Sequence, residues 1–77
     1  MAVKTRLEIL EKDYSSALDQ LIENEINLIS LERRMIATPP GKDYDALQAS
    51  IVTKKNNIKQ IKDIVEIIDE LIKKEGK

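Results

Sequence analysis

The chain has 77 residues, of which 35% are charged, and its formal net charge is −1. A chain of this length forms one domain at most. It has no Cys and no His, which removes disulfides, thiolate metal sites and the commonest general base and metal ligand. The small net charge provides no overall field that would favour DNA or a membrane surface.

Pro and Gly cluster at one place near the middle of the chain, in the stretch 37–43 (Ala-Thr-Pro-Pro-Gly-Lys-Asp). On each side runs a long segment that has no Pro or Gly until Gly76. Two prolines and a glycine end one helix, and Asp43 is predicted to cap the next. The pattern predicts an all-α protein, an antiparallel two-helix hairpin or coiled coil, built as one unit of residues 1–77 with helix 1 at about 5–36, a turn at 37–43 and helix 2 at about 44–74.

Helix 1 shows the seven-residue repeat of coiled coils, whose positions are lettered a to g. Thr5 and Glu8 fit a capping box at its start, with Thr5 as N-cap. Asn24 is the one polar residue of the seam positions on helix 1, and we interpret it as a register-fixing or partly exposed amide. The a positions are Leu7, Tyr14, Leu21, Leu28 and Met35, and the d positions are Val3, Leu10, Ala17, Asn24 and Leu31.

Helix 2 shows the same repeat. Its a positions are Tyr44, Ile51, Ile58, Val65 and Ile72, and its d positions are Leu47, Lys54, Ile61 and Ile68. Folding the chain at the turn brings a residues of one helix opposite d residues of the other, as an antiparallel coiled coil requires. Leu21 then faces Ile61 and Leu10 faces Ile72, so that paired residue numbers add up to about 82. This agreement between two separate segments is the basis of the hairpin prediction.

Both helices carry more apolar residues than one seam needs, and on helix 1 the apolar arc widens to about 200°. A lone hairpin buries one seam only, and chains of this size are marginally stable without a partner. We therefore expect a homodimer or a different protein to complete a bundle. The predicted partner-binding residues are Leu18, Ile22, Ile26, Ile29 and Ile36 on helix 1, and Ile64, Ile67 and Leu71 on helix 2.

The conspicuous polar feature is a set of lysines, Lys55, Lys59 and Lys62, that share one face of helix 2. They could contact phosphates, as in small helical RNA-binding proteins. The interpretation we favour is charge complementarity within the hairpin, with Glu23 opposite Lys59 and Glu25 near Lys55.

Other functions are disfavoured by composition. Without His or Cys, no nucleophile–base set can form except through Lys or carboxylates, so we expect no enzyme, no cofactor and no metal. Trp and Phe are absent, which disfavours the stacking of nucleic-acid bases. No apolar run approaches the length of about 18 residues that a membrane span needs, and no secretory signal is recognisable at the start. The cytoplasm is the simplest predicted location.

The stretch 32–48 resembles a specific family, the small subunit of type III secretion needle chaperones of the YscE/PscE type. The similarity lies in the basic–apolar helix end at 33–36, the short turn with Pro and Gly, and the helix start at 43–48 (Asp-Tyr-Asp-Ala-Leu-Gln). The opening Lys4-Thr5-Arg6-Leu7-Glu8 and the apolar Ile58, Ile61, Ile64, Ile67 and Ile68 also resemble the family.

The resemblance implies a role without catalysis. Such a subunit binds a larger, helical-repeat co-chaperone, and the two keep the needle protein from polymerising in the bacterial cytoplasm. Two alternatives stay open: the needle subunit itself, and a small homodimeric helical-bundle regulator of the phage or plasmid type that acts on RNA. The charged end of the chain, 72–77, argues against the needle subunit, since needle proteins tend to end in an apolar polymerisation segment.

Overall fold

A computed structural model describes residues 5–76 as two helices, α1 (Arg6–Ile36) and α2 (Lys42–Glu75). The helices lie side by side and antiparallel, which gives an elongated particle of 57 × 23 × 14 Å. The predicted all-α hairpin is therefore confirmed. We call the end of the hairpin at the turn the tip, and the end where Arg6 lies beside Glu75 the open end.

The ends of α1 follow from local side-chain chemistry. Thr5 is the N-cap, and its Oγ1 accepts a hydrogen bond of 3.2 Å from the Glu8 amide, as predicted. Arg33 and Arg34 lie in the last turn, where positive charge is favourable. The Thr38 hydroxyl donates a 2.7 Å hydrogen bond to the carbonyl oxygen of Arg34, which satisfies one of the last carbonyls of the helix.

The start of α2 differs from the prediction, because Gly41 and not Asp43 is the N-cap. Gly41 adopts φ 154° and ψ −162°, a backbone conformation that is almost restricted to glycine. This conformation turns the chain early, so that α2 begins at Lys42 and the Asp45 amide donates to the Gly41 carbonyl at 3.0 Å. Asp43 and Asp45 instead lie in the first turn, where they complement the helix dipole.

The seam between the helices is the one that the heptads predict. Every predicted a and d position within residues 5–76 is buried or partly buried, and Val3 lies outside the described residues. The core is nevertheless small: among residues 5–76, only Ala17, Ile51 and Ile58 are buried. Two helices in contact along one seam cannot enclose a side chain on all sides, which explains the small core.

Two polar contacts join the helices, one at the middle of the hairpin and one at its open end. At the middle, the Lys54 ammonium donates a 3.2 Å hydrogen bond to Oδ1 of Asn24, and Asn24 Nδ2 donates to the Gln20 carbonyl at 2.7 Å. At the open end, Arg6 Nε and Glu75 Oε1 form an ion pair of 2.8 Å. Asn24 and Lys54 are both d residues, so the polar pair sits inside the apolar seam as the register-fixing interpretation requires.

Candidate interaction surface

The outer side of α1 carries a stripe of exposed isoleucines. Ile22, Ile26 and Ile29 are 55%, 61% and 52% exposed, Ile36 is exposed further, and Leu18 is partly buried. At 100° per residue, Ile26 points about 170° away from the seam, and Ile22 and Ile29 about 130° away. These side chains therefore project from the side of α1 that α2 does not cover. A surface groove runs between Ile26, Ile29, Ser30 and Arg33.

A second apolar patch lies on α2 towards the open end. Ile64 and Ile67 are 50% and 56% exposed, whereas Leu71 is partly buried. Ile64 and Ile68 line a groove across the seam with Asp13, Ser16, Ala17 and Gln20 of α1.

The predicted partner-binding residues thus form two patches and not one surface. In an antiparallel pair of helices, e positions meet e positions along one flank of the seam and g positions meet g positions along the other. Leu18 is an e residue, whereas Ile64 and Leu71 are g residues. The α1 stripe and the α2 patch therefore face opposite sides of the hairpin, and each could contact a different molecule.

Sequence reasoning missed two exposed apolar residues, Ile9 at 48% and Val52 at 55%. Each stands alone at an outer heptad position, c for Ile9 and b for Val52, without a large apolar residue three or four positions away on the same outer side. Single exposed apolar residues are normal on protein surfaces. Their heptad positions, outside a and d, could have identified both residues as exposed. An isolated residue does not form an apolar stripe, however, so neither was predicted to bind a partner.

The lysine face is arranged differently from the prediction. Lys55, Lys59 and Lys62 line a surface groove with the seam residues Leu28 and Ile58. Within residues 5–76, the side-chain ion pairs are Arg6–Glu75 and Lys73–Asp69, so the predicted pair of Lys59 with Glu23 is not formed, and no ion pair within 4.0 Å joins Lys55 to Glu25. Glu23 is a c residue and lies on the flank opposite Lys59, which explains why that pair does not form.

The described residues show few other features that could indicate a function. The side-chain hydrogen bond to Asp69, together with its negative charge, raises the pKa of Lys73 on the surface of α2. In the described part of the chain there is no cluster of three or more acidic side chains that could hold a metal ion. Among the helices of residues 5–76, none combines the length and apolar character that crossing a membrane requires. The exposed apolar patches are therefore the features that suggest a function.

Comparison with protein-family models, with curated proteins and with solved structures finds no match to this chain.

Proposed function

We propose that this chain is a non-enzymatic protein-interaction module that packs its exposed apolar residues against helices of another protein chain. The observation that carries the proposal is the contrast between the core and the surface. The buried core consists of Ala17, Ile51 and Ile58, whereas Ile22, Ile26 and Ile29 are more than half exposed. Exposed apolar residues in a contiguous patch mark interaction sites on small proteins.

The accessible surface supports the proposal by its size. The hairpin exposes 6205 Å². A compact monomer of the same mass, 8.8 kDa, exposes about 4,800 Å². The excess of about 1,400 Å² on this one chain is larger than the area of about 800 Å² that each partner loses in a specific protein–protein interface.

The finer proposal is a needle co-chaperone of type III secretion. It is supported by the resemblance of the stretch 32–48 and by chain length. In this role the hairpin binds a helical-repeat co-chaperone, and the complex keeps the needle protein unpolymerised in the bacterial cytoplasm. The two patches on opposite sides of the hairpin suit an assembly in which this chain contacts more than one molecule.

The test is capture of partners by the tagged chain from its native host, followed by mass spectrometry. Two variants each disable one patch, Ile22→Glu/Ile29→Glu and Ile64→Glu/Ile67→Glu. Ala49→Glu/Asn56→Glu is the matched control, since it adds the same charge at the same seven-residue spacing on exposed positions of α2 that lie outside both patches. We expect a helical-repeat protein and a needle-like subunit with the wild type and the control, and their loss with at least one patch variant. Identical captured proteins in all four samples would contradict the interaction module.

A second candidate, the homodimeric regulator that acts on RNA, is favoured by one observation. Lys55, Lys59 and Lys62 line one groove, and none has an acidic partner within 4.0 Å among residues 5–76. Binding of a short RNA duplex, measured against salt, tests this candidate. Affinity that falls on changing the three lysines to Gln would support it, and RNA binding that is absent or insensitive to these changes would remove it.

A further inference from the structure

The outer side of α1 carries a second heptad seam, distinct from the seam that pairs α1 with α2. Its residues are separated alternately by four and three positions, which is the spacing of the a and d residues of a coiled coil. At its centre stand the three half-exposed isoleucines already described. The members of this outer seam are Ser15, Asp19, Ile22, Ile26, Ile29, Arg33 and Ile36.

The charges of the outer seam are self-complementary. Asp19 and Arg33 each stand seven residues from Ile26, one on either side. A second α1 that runs antiparallel, with Ile26 of one copy opposite Ile29 of the other, brings Asp19 of one copy to about 4.5 Å along the helix axis from Arg33 of the other, and does so twice. A parallel second copy would instead bring Asp19 beside Asp19 and Arg33 beside Arg33, which is unfavourable. The seam therefore has the two-fold complementarity of an interface between identical chains.

We propose that a second copy of this chain packs its α1 antiparallel on α1 along the outer seam, with the two-fold axis between Ile26 and Ile29. The dimer is a row of four helices in the order α2, α1, α1, α2. This inference goes beyond the proposed function, because it assigns the α1 stripe to self-association whatever the partner is. It leaves the α2 patch around Ile64 and Ile67 for a different protein.

The α2 patch lacks this complementarity, which is why the second copy is assigned to α1. The same construction centred on Ile67 places Gln60 and Lys74 seven residues away on either side. An antiparallel copy would there bring an ammonium beside a neutral amide, without an ion pair. The outer seam spans about 30 Å along the helix. An interface at the lower end of the usual range removes about 600 Å² from each copy.

The first test is sedimentation equilibrium of the purified full-length chain and of charge-reversed variants. The wild type is expected to form a reversible dimer of twice the 8.8 kDa chain mass. Asp19→Arg and Arg33→Asp should each weaken the dimer about tenfold or more, because like charges then meet, and Asp19→Arg/Arg33→Asp should restore it. Asp63→Arg is the matched control, since Asp63 is exposed and occupies the corresponding heptad position f on α2.

Each outcome decides the proposal. A chain that stays monomeric at about 100 µM, far above the dissociation constants of specific complexes, overturns it. The proposal is also overturned if Asp63→Arg weakens the dimer as much as Asp19→Arg does. It is overturned equally if Asp19→Arg/Arg33→Asp does not restore the dimer. Helix content, measured by circular dichroism, separates loss of folding from loss of dimer. Because no partner is present in this experiment, failure here is distinct from failure of the capture experiment.

The second test uses the absence of Cys from the chain. In the antiparallel dimer Ile26 lies within one helical turn of Ile26 of the second copy, whereas the two Ile36 residues are about 25 Å apart. Under mild oxidation, Ile26→Cys should form a disulfide-linked dimer and Ile36→Cys should not. Rapid cross-linking of both variants indicates a parallel pair, and cross-linking of neither rules out the outer seam; both results overturn the proposal.

Discussion

At the residue scale, Gly41 decides where the second helix begins. Its φ of 154° lies in a region that side-chain-bearing residues rarely adopt, and no other described residue has a positive φ. A Cβ at this position would meet no neighbouring atom within 4 Å. The requirement for glycine is therefore one of backbone conformation and not of space.

The first prediction follows from this distinction. Gly41→Ala should lower the free energy of unfolding by about 1–3 kcal/mol, because alanine must adopt a strained conformation or move the tip. Gly76→Ala is the control, since Gly76 has a φ of −79° and ends a helix. Urea denaturation of both variants checks the difference. Equal midpoints for the two variants would show that the conformation of Gly41 is not needed.

The polar pair inside the seam is the other decisive feature at this scale. Asn24 and Lys54 occupy d positions and hydrogen-bond each other at 3.2 Å. A polar pair in a seam reduces stability but selects one register, because a shifted register would leave both groups without a partner.

The second prediction is that Asn24→Leu/Lys54→Leu raises the free energy of unfolding by about 1–3 kcal/mol and lowers the uniqueness of the fold. Urea denaturation measures the first effect. Amide NMR spectra measure the second, with more than one set of peaks expected for the seam residues. An equally stable double variant with one set of peaks would mean that the turn alone fixes the register.

At the scale of the elements, α1 has two apolar sides and α2 covers one of them. Ile58 belongs to the inner seam and is buried, whereas Ile26 belongs to the outer seam and is 61% exposed. The two isoleucines should therefore contribute differently to the hairpin, although a hydropathy profile treats them alike.

The third prediction compares the same substitution at both sites. Ile58→Ala should lower the free energy of unfolding by about 2–5 kcal/mol, and Ile26→Ala by less than about 1 kcal/mol. Thermal unfolding at the lowest practical chain concentration measures both, because dilution removes the contribution of self-association. A larger effect at Ile26 than at Ile58 under these conditions would contradict the assignment of the inner seam.

At the scale of the whole molecule, one seam supports 77 residues. A hairpin with this little buried apolar surface is expected to be marginally stable alone. Its stability should then depend on whatever covers the remaining apolar side chains, by mass action.

The fourth prediction is that the melting temperature rises by about 5–10 °C over a hundredfold increase in chain concentration, because dimerisation stabilises the folded hairpin by mass action. Circular dichroism from low micromolar to high micromolar concentration measures this. Ile26→Glu, which places a charge at the centre of the outer seam, should remove the dependence. A melting temperature independent of concentration in the wild type would show that one chain folds unaided.

The sequence by itself determined the elements and their inner seam. The spacing of apolar residues and the presence of turn residues are local features of a sequence. The 3.5-residue repeat therefore identified the a and d residues, and the Pro-Pro-Gly stretch identified the tip. The eight surplus apolar residues could also be selected, and their heptad positions already indicate two different flanks. Tertiary structure decided what depends on the placement of side chains and on distances between helices: the exposure of each surplus residue, the Asn24–Lys54 hydrogen bond, and which charged residues form ion pairs. It also decided the N-cap, because the conformation of Gly41, and not the capping preference of Asp43, sets the start of α2.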